Sequence, residues 1–386
     1  MENPFHYGEV VTGTYFTNRK SELAELIADV RNGQNLVIIS PRRYGKTSLV
    51  FQSLDQLKQE GILVAYLDLF RTPTKDRFAD HLAEAIYSGL VAPLERLWQR
   101  AVDVFQKLPI RPKITINQDG TPSFEFTAGE RERDIDRTIE SLLALPGQIA
   151  RERQRRVALV MDEFQEVIGI DSHLPSLMRA VFQLQSNVAH VFLGSRRHLM
   201  QRVFTDDNEP MYRLAKPMLL RGIGPEDFAP FIRERFATTS QRITDDAVRR
   251  ILSITEGHPH DTQELCYFTW ALAQAEGKEA TPDLVEQALD HVVDAENARY
   301  TTLWEGLTPH RRLVLAALVA GGGKAIYSEQ YRRQYRLGAA SSVQRTLAYL
   351  VDRELAEYSS DGTYSVPDVF LRAWVARVAT RQRAPG

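Results

Sequence analysis

Residues 36–47 read LVIISPRRYGKT, and this stretch decides the fold of the first half of the chain. An apolar run leads through a short loop into Gly-Lys-Thr, and an amphipathic stretch, Ser48–Lys58, follows it. Gly-Lys-Thr alone occurs often by chance, but a buried strand before it and a helix after it are the context that a phosphate-binding loop requires. We therefore expect residues 40–48 to bind phosphate groups.

The residue types in this loop suit a nucleotide. The N–H groups of the loop and the positive end of the following helix would hold a β-phosphate. Lys46 would carry its charge to the β- and γ-phosphates, and the Thr47 hydroxyl would ligate Mg²⁺. Ser40 stands where the usual pattern has glycine, so the loop is expected to begin differently or to bind more weakly. The residues expected to bind the nucleotide here are Ser40, Pro41, Arg42, Arg43, Tyr44, Gly45, Lys46, Thr47 and Ser48.

A second apolar run, Val157–Met161, ends in two carboxylates, Asp162 and Glu163. A buried parallel strand delivers such groups to the carboxyl edge of its sheet, where ligands bind. Asp162 would hold the Mg²⁺ shell through water, and Glu163 would polarise an attacking water as general base. A strand end capped by two solvated acids is the alternative.

The next apolar run, His190–Leu193, leads to Gly194 and Ser195. We expect Ser195 to orient the water or to touch the γ-phosphate, with an ordinary turn serine as the alternative. Arginines that follow it are candidates for neutralising charge on the transferred phosphoryl group, and sequence alone does not choose among them. They are Arg196, Arg197, Arg202 and Arg213.

Apolar runs alternate with helical stretches through this part of the chain, as in a parallel sheet covered by helices. A further run, Ile62–Leu69, is the second strand of this pattern. Residues 114–126 alternate on both sides of an Asp-Gly turn and predict a hairpin. It is either a partner-contact element or a simple surface hairpin, and the latter is favoured.

The charge of the chain divides it into three blocks. Its 386 residues carry 48 basic and 50 acidic side chains, for a net charge of −2, which by itself argues against a nucleic-acid partner. Counted separately, residues 1–224 carry +1, residues 225–306 carry −9 and residues 307–386 carry +6. These blocks are the predicted domains.

The acidic block, 225–306, has helical patterns and no good strand, for example at Glu226–Phe236, Asp245–Thr255 and His260–Ala275. After a nucleotide-binding sheet this pattern predicts a helical lid. His258 and His260 could approach the nucleotide, but a turn that begins a helix is favoured for them. A metal site is not expected, because no third ligand at suitable spacing accompanies the two histidines.

The basic block, 307–386, predicts a winged helix. The block begins with three predicted helices, at Thr308–Val319, Ser328–Tyr335 and Ala340–Glu354. An Asp-Gly hairpin follows, in which Leu355–Tyr358 pairs with Thr363–Val366. A last helix, with Phe370 and Trp374, closes the core. If the module binds DNA, its third helix presents Ser341, Gln344 and Arg345. Much of the positive charge of this block comes from seven other arginines, which either touch phosphates or meet the acidic lid. They are Arg332, Arg333, Arg336, Arg372, Arg377, Arg381 and Arg383.

Taken together these motifs resemble the archaeal-type ATPase family within the AAA+-related and STAND-like P-loop proteins. The likeness begins at Asn3-Pro4-Phe5 and the box around Asn18 and Arg19, which in that family helps to frame the adenine. It continues to Pro210-Met-Tyr-Arg213 and the last strand, Met218–Leu220. The resemblance implies a sheet order of 5-1-4-3-2, ATP as nucleotide and Arg213 at the family's arginine position, although Tyr212 stands where a glycine often precedes it.

The composition limits the function classes. With 43% hydrophobic and 25% charged residues the chain is an ordinary globular one. Its single cysteine, Cys266, and an N-terminus without a leader pattern favour a cytoplasmic protein without a membrane partner. We hypothesise that the protein is an ATP- and Mg²⁺-dependent ATPase whose cycle switches a helical lid and a winged helix between two arrangements. Whether it binds DNA, a protein partner or further copies of itself is left open. The alternative is a signalling or regulatory nucleotide-binding module that acts on protein partners with little turnover.

Overall fold

The computed structural model describes residues 2–8, 13, 16, 19–92, 105, 108–118, 121–126, 132–359 and 361–383. They form two compact units. One is Val10–Arg221, and the other combines Met1–Glu9 with Gly222–Gly386. The predicted boundary between lid and winged helix at residue 306 lies inside the second unit, and the three-domain division stays a prediction.

Strands and helices alternate along the first unit. Its strands are β1 (Leu36–Ile39), β2 (Leu63–Asp68), β3 (Lys113–Ile116), β4 (Pro122–Glu125), β5 (Val157–Asp162), β6 (Val188–Gly194) and β7 (Lys216–Leu219). Its helices are α1 (Lys20–Arg31), α2 (Lys46–Gln59), α3 (Lys75–Ile86), α4 (Glu132–Arg153), α5 (Val167–Ile170), α6 (Leu174–Phe182) and α7 (Arg197–Thr205). Short runs of valine, leucine and isoleucine form the central strands, as expected for a sheet buried on both faces.

Five of these strands form one parallel sheet in the order β2-β5-β6-β1-β7. Counted along the chain among these five strands and read from β7, the order is 5-1-4-3-2, as the family resemblance implies. The register sets Ile39 beside Gly194 and Asp68 beside Asp162. The carboxyl ends of β1, β5 and β6 therefore lie at one edge of the sheet, where ligands bind in open parallel sheets.

The two faces of the sheet are packed by different helices. Leu36 and Ile38 of β1 belong to an apolar cluster with residues of α1 and α2. Val37 and Ile39 belong to the opposite cluster, which contains residues of α3, α4 and α6. Because successive side chains of a strand point to opposite faces, every residue of β1 is buried, and the strand and the loop after it are held from both sides.

The predicted hairpin forms from the antiparallel strands β3 and β4, with Ile114 opposite Phe124. Its Asp119-Gly120 turn lies outside the described residues. Phe124 and Phe126 are buried in the same cluster as α3 and α4, and the Phe124 ring packs against Phe105 with centroids 4.7 Å apart. One face of the hairpin is therefore part of the core, whereas the sequence favoured a simple surface hairpin.

The described residues of the second unit form helices, one short hairpin and an isolated parallel bridge between Ile243 and Ala280. Its helices are α8 (Pro225–Thr238), α9 (Asp245–Thr255), α10 (Pro259–Glu276), α11 (Pro282–Ala295), α12 (Asn297–Glu305), α13 (Pro309–Gly321), α14 (Glu329–Gln334), α15 (Ala340–Asp352) and α16 (Val369–Arg383). The strands β8 (Glu357–Tyr358) and β9 (Tyr364–Ser365) pair antiparallel as the wing. One continuous apolar cluster, from Phe5 and Phe228 to Trp374, joins the predicted lid to the winged helix.

Charged contacts also connect the two parts of this unit. Arg372 of α16 lies 2.8 Å from Glu256, and Arg377 pairs with Asp290 and with Asp294 of α11. The indole of Trp374 donates a 2.8 Å hydrogen bond to the Asn297 side chain. Two of the basic side chains of the C-terminal block therefore contact the acidic block, which was one of the two alternatives that the sequence left open. The side chains of Arg381 and Arg383 lie outside the described part of the chain.

A helix that crosses a bilayer needs about 20 consecutive, predominantly apolar residues. None of the helices in the described part of the chain is long and apolar enough to cross a membrane.

Candidate functional site

The loop between β1 and α2 turns sharply before the helix begins. Gly45 caps α2 with φ 77°, and Arg43 two residues earlier has φ 65°, an unfavourable conformation for a residue with a side chain. Ser40 is fully buried and is not among the described residues with positive φ. Serine is therefore compatible with the backbone at this position, and the glycine of the usual pattern is not needed for the loop to begin.

Lys46, the first residue of α2, points into the loop. Its side chain is buried, with 6% of the residue exposed, and its Nζ donates hydrogen bonds to the carbonyl oxygens of Ser40 (3.0 Å) and Pro41 (3.1 Å). The first turn of a helix has backbone N–H groups without intrahelical acceptors, and Gly45 supplies no side-chain cap to α2. An ammonium and the positive end of a helix are therefore directed to the same loop, a combination that attracts anions.

Asp162, at the end of β5, lies beside Thr47. The Thr47 hydroxyl donates to Asp162 Oδ2 over 3.2 Å, and the Glu163 N–H donates to Oδ1 over 2.8 Å. Asp162 is 6% exposed, and burial raises the pKa of its carboxyl while these hydrogen bonds act in the opposite direction. The structure thus brings together the two residues predicted to hold a metal ion.

Glu163 follows with a left-handed backbone, φ 51°. Such a conformation costs about 1–3 kcal/mol for a residue other than glycine and is concentrated at functional sites. Ser195, directly after β6, is 3% exposed and donates to Glu163 Oε2 over 2.8 Å. The two residues predicted to handle the attacking water are therefore in contact across neighbouring strands.

Two further residues that no sequence motif indicates, Tyr66 and Gln165, contact the acid pair. The Tyr66 hydroxyl of β2 donates to Asp162 Oδ2 over 2.6 Å, and the Gln165 amide donates to Glu163 Oε2. Burial and the neighbouring Asp162 carboxylate raise the pKa of the Tyr66 phenol well above its ordinary value, so it stays a proton donor. A tyrosine inside an otherwise apolar run and a glutamine two residues after the acid pair were the signals available in the sequence.

Gly194 makes room for this arrangement. A Cβ at this position would lie 2.3 Å from Met200 Cγ and 2.8 Å from Gln165 Oε1. That oxygen is buried and has no hydrogen-bond partner among the described residues. The glycine before Ser195 therefore lets Gln165 approach the acid pair.

Arg19 and Asn18 were expected to frame the adenine. Arg19 is 5% exposed and has φ 52°, and its guanidinium donates to the carbonyl oxygens of Tyr44 (3.0 Å) and Arg221 (2.8 Å). Glu22 pairs with the same guanidinium over 3.0 Å. Arg19 thus joins the phosphate loop to the last residue of the first unit, and Asn18 lies outside the described residues.

Within the described residues, Arg196, Arg202 and Arg213 form no hydrogen bond or ion pair with Lys46, Asp162 or Ser195. Arg213 is exposed with φ 54°, and its guanidinium lies 5.0 Å from the centre of the Tyr212 ring. In the described parts of the chain it has no hydrogen bond or ion pair to the residues of the site. Its role as the charge-neutralising arginine stays a prediction. Of the others, Arg202 pairs with Glu209 over 2.7 Å and Arg196 lies 3.8 Å from Glu166.

His258 and His260 lie in the second unit at the start of α10. His258 is the N-cap residue, and its Nδ1 accepts from the Asp261 N–H over 3.2 Å, as favoured for a turn that begins a helix. The expectation that no third ligand accompanies the histidines is wrong. One turn of α10 brings Asp261 and Glu264 to His260, with ligand atoms within 4.8 Å of one another.

The C-terminal module has the features predicted for a winged helix. Ser341, Gln344 and Arg345 are exposed on α15, the third helix of the module. Arg332, Arg333 and Arg336 line a surface pocket just before that helix. Residues 298–377 match a family described as a probable winged helix domain.

Solved structures share this architecture at low sequence identity. A Walker-type ATPase of Pyrococcus abyssi is 15% identical, with a TM-score of 0.64 over 95% of this chain and 99% of its own. The ORC1 protein of Aeropyrum pernix, solved in complex with DNA, is 14% identical, with a TM-score of 0.50 over 96% of this chain and 95% of its own. At such identities the likeness concerns the fold alone.

Sequence comparison gives the family itself. No protein of curated function matches the chain. Residues 16–265, which include the phosphate loop, the acid pair and Ser195, match the family of ATPase domains found predominantly in Archaea. The chain therefore belongs to this ATPase family and carries a winged helix after the ATPase domain.

Proposed function

We propose that this protein binds ATP with Mg²⁺ at the carboxyl edge of its parallel sheet and hydrolyses it to ADP and phosphate. The observation that carries the proposal is the convergence of side chains from α2, β5 and the residue after β6. Thr47 contacts Asp162, and Ser195 contacts Glu163, in pairs that are far apart in sequence. Surface acids that merely cap a strand would not need such partners.

The residues fit the expected groups. Thr47 Oγ1 and Asp162 Oδ2 are hard oxygen donors 3.2 Å apart, the ligand chemistry that Mg²⁺ prefers. The loop joins the buried Lys46 ammonium to the positive end of α2, which suits the phosphates of a nucleotide. A bound Mg²⁺ ion would supply charge neutralisation on the β- and γ-phosphates, and Thr47 and Asp162 would hold it.

The chain's own residues account for the remaining steps. Lys46 exchanges the carbonyls of Ser40 and Pro41 for oxygens of the β- and γ-phosphates. A water oxygen attacks the γ-phosphorus while the bond to the β–γ bridging oxygen breaks, so that ADP and phosphate form. Glu163 takes the proton of that water, and Ser195 orients the carboxylate or the water. Arg213 is the proposed source of an additional positive charge.

The test is ATP turnover by Glu163→Gln beside the wild type. A general base contributes about 10²–10⁴ in rate, so E163Q should lose turnover by that factor and keep ATP binding. Glu166→Gln is the matched control, because Glu166 lies on the same turn and its carboxylate faces Arg196 at 3.8 Å rather than Ser195. Equal turnover by E163Q and wild type would overturn the role of Glu163. ATP binding without turnover in any variant would favour the regulatory binding module instead.

We further propose that nucleotide state is coupled to a helical lid, residues 225–306, and a winged helix, residues 307–386, beyond an ATPase core of residues 1–224. Arg19 supports this coupling, since one guanidinium binds the carbonyls of Tyr44 in the phosphate loop and of Arg221 before the next unit. A nucleotide that rearranges the loop would change one of these acceptors. Arg19→Ala, which removes the nitrogen that donates to both carbonyls, should weaken any nucleotide-dependent change in protease sensitivity near residue 221.

DNA is the second proposed partner, through the winged helix. The exposed face of α15, with Ser341, Gln344 and Arg345, is placed for base contacts, and the arginines at 332, 333 and 336 are placed for phosphates. Arg372 and Arg377 are instead engaged with acidic side chains of the same unit. Before α15, Arg333 pairs with Glu329 and Arg332 donates to the carbonyl oxygens of Tyr327 and Gly338, so Arg336 is the first candidate for a phosphate contact.

Duplex DNA binding at two salt concentrations tests this assignment. Arg336→Gln should weaken binding and lower the salt slope by about one if Arg336 meets a phosphate. Arg377→Gln is the control that should leave the slope unchanged. Absence of binding at low salt would remove DNA and leave a protein partner or a second copy of the chain as what the winged helix contacts.

A further inference from the structure

Gln165 is a buried polar side chain beside the acid pair that has no part in the reaction proposed above. It lies two residues after Glu163, in the single 3₁₀ turn Phe164–Glu166, and it is 4% exposed. Its amide nitrogen donates to Oε2 of Glu163, while its amide oxygen is buried and has no hydrogen-bond partner among the described residues. The two ends of one amide are therefore in opposite situations.

The neighbours of this amide fix its orientation. An ionised carboxylate only accepts hydrogen bonds, so the NH₂ group and not the amide oxygen must face Glu163. The amide oxygen lies against the end of β6, since a Cβ at Gly194 would stand 2.8 Å from it. The Glu166 N–H donates to the Glu163 carbonyl oxygen over 2.9 Å and closes the turn that brings Gln165 beside the carboxylate.

This arrangement is not what packing alone would select. A buried amide oxygen without a partner loses its hydration and gains nothing in return, whereas an apolar side chain of similar length would fill the space without that penalty. The backbone of Glu163, with φ 51°, is a second costly feature at the same place. Both costs converge on one carboxylate, and the donor to that carboxylate is what distinguishes glutamine from an apolar residue.

Two donors on one oxygen determine which oxygen of Glu163 is available. Ser195 Oγ donates to Oε2 over 2.8 Å, and the Gln165 amide donates to the same atom. A carboxylate oxygen has about two lone-pair sites, so these donors occupy Oε2. Within the described residues Oε1 accepts no hydrogen bond. Because the last torsion of a glutamate is broad, a second donor from another direction limits its rotation.

We propose that Gln165 is a positioning residue for ATP hydrolysis, which together with Ser195 fixes Oε2 of Glu163 so that Oε1 faces the attacking water. The proposal rests on the function proposed above, since it assigns the orientation of the general base in that reaction. The water proton passes to Oε1 while the water oxygen bonds to the γ-phosphorus, and ADP leaves with the electron pair of the broken bond. Gln165 keeps its protons and touches no reacting atom.

The experiment measures kcat and KM for ATP in the full chain, with Gln165→Met as the variant. Methionine keeps the length of the side chain and removes the donor. We expect kcat to fall by about 100-fold, the cost of a misplaced catalytic group, while KM stays near the wild-type value because the phosphate loop is intact. The unfolding temperature of Q165M should equal or exceed that of wild type, since the unpartnered amide oxygen is gone.

Gln185→Met is the matched control. Gln185 is a buried glutamine of the same unit, 6% exposed, and both ends of its amide have partners. The nitrogen donates to the Leu143 carbonyl oxygen over 2.8 Å, and the oxygen lies 3.1 Å from His190 Nε2. Q185M should therefore lower the unfolding temperature and leave kcat of the folded enzyme unchanged, the reverse of Q165M.

A double variant separates positioning from a structural role. If Gln165 acts through Glu163, the double variant E163Q/Q165M should turn over ATP as fast as E163Q alone, because residues that act as a unit are not additive. Loss of turnover by the same factor in both backgrounds would show a structural role and overturn the proposal.

Wild-type kcat in Q165M would also overturn it. Turnover that depends on Glu163 but not on Gln165 removes this inference and leaves the ATPase function standing, whereas equal turnover by wild type and E163Q removes both. If Q165M does not fold, Gln165→Asn replaces it in each comparison, because its amide is one methylene too short to reach Glu163. An undiminished kcat in Q165N then overturns the proposal.

Discussion

The contact between Tyr66 and Asp162 makes a measurable prediction about stability. Tyr66→Phe removes the hydroxyl that donates to Asp162 Oδ2 over 2.6 Å, while the ring and its packing against Phe51 remain. A hydrogen bond to a charged group contributes about 1.5–3 kcal/mol, and Asp162 is 6% exposed, so little water can replace the lost donor. We expect Y66F to lose about 1.5–3 kcal/mol of unfolding free energy of the first unit in nucleotide-free protein.

The pH dependence of this loss follows from the pKa of Asp162. Burial raises that pKa, so the folded chain binds more protons than the unfolded chain, and stability falls as the pH rises through the folded pKa. The Tyr66 hydrogen bond favours the ionised carboxylate and limits this fall. Removing the bond raises the pKa of Asp162 further, so Y66F should be most destabilised above the folded pKa and least when Asp162 is protonated.

Denaturant unfolding over a pH series measures both effects, with a probe in the first unit. Tyr358→Phe is the control, because this wing tyrosine is 58% exposed and its hydroxyl has no hydrogen bond within the described residues. Y66F within about 0.5 kcal/mol of wild type at every pH would refute the reasoning, since that is the scatter of ordinary surface substitutions. A loss that is the same at low and high pH would refute the assignment to the ionised carboxylate.

The second unit carries further predictions. Gly257→Ala would place a Cβ 2.1 Å from the Ile223 carbonyl oxygen, at a residue whose φ is 70°. We therefore expect the variant to lose more than about 1 kcal/mol of unfolding free energy, measured by thermal unfolding. A variant as stable as the wild type would contradict this close approach of the two backbones. Thr244→Ala removes the N-cap hydrogen bond of α9 and should cost about 1 kcal/mol, with Thr244→Ser as the control that keeps it. Arg377→Ala breaks partly exposed ion pairs with Asp290 and Asp294 and should lower stability by less than about 1 kcal/mol at low salt, with a smaller effect at high salt. A larger effect would show that these pairs contribute more than their exposure implies.

Local sequence determined the elements that build the ATPase unit. The strand at Leu36–Ile39 has the predicted bounds, and the strand at Val157–Asp162 is one residue longer than predicted, because runs of buried apolar residues bounded by turns leave few alternatives. The same holds for α9, whose predicted bounds Asp245–Thr255 are those of the structure. Its N-cap threonine and the two aspartates in its first turn mark the helix start in the sequence.

Contacts between distant segments could not be predicted in this way. Tyr66 and Gln165 join the acid pair only because β2 pairs with β5 and because Gly194 leaves room for the amide. Arg19 was assigned to the adenine, yet its guanidinium binds the Tyr44 and Arg221 carbonyls. A hydrogen bond depends on distances of a few tenths of an ångström, which strand pairing and side-chain packing decide.

The charge blocks show the same division. The sequence by itself determined a neutral, an acidic and a basic block, and it placed the phosphate loop, the acid pair and the winged helix in order along the chain. Only the tertiary structure decided that Arg372 and Arg377 contact Glu256, Asp290 and Asp294. It also decided that Arg332, Arg333 and Arg336 line a surface pocket before α15. Motifs depend on neighbours in sequence, whereas the partner of a long charged side chain depends on which surface the fold brings opposite it.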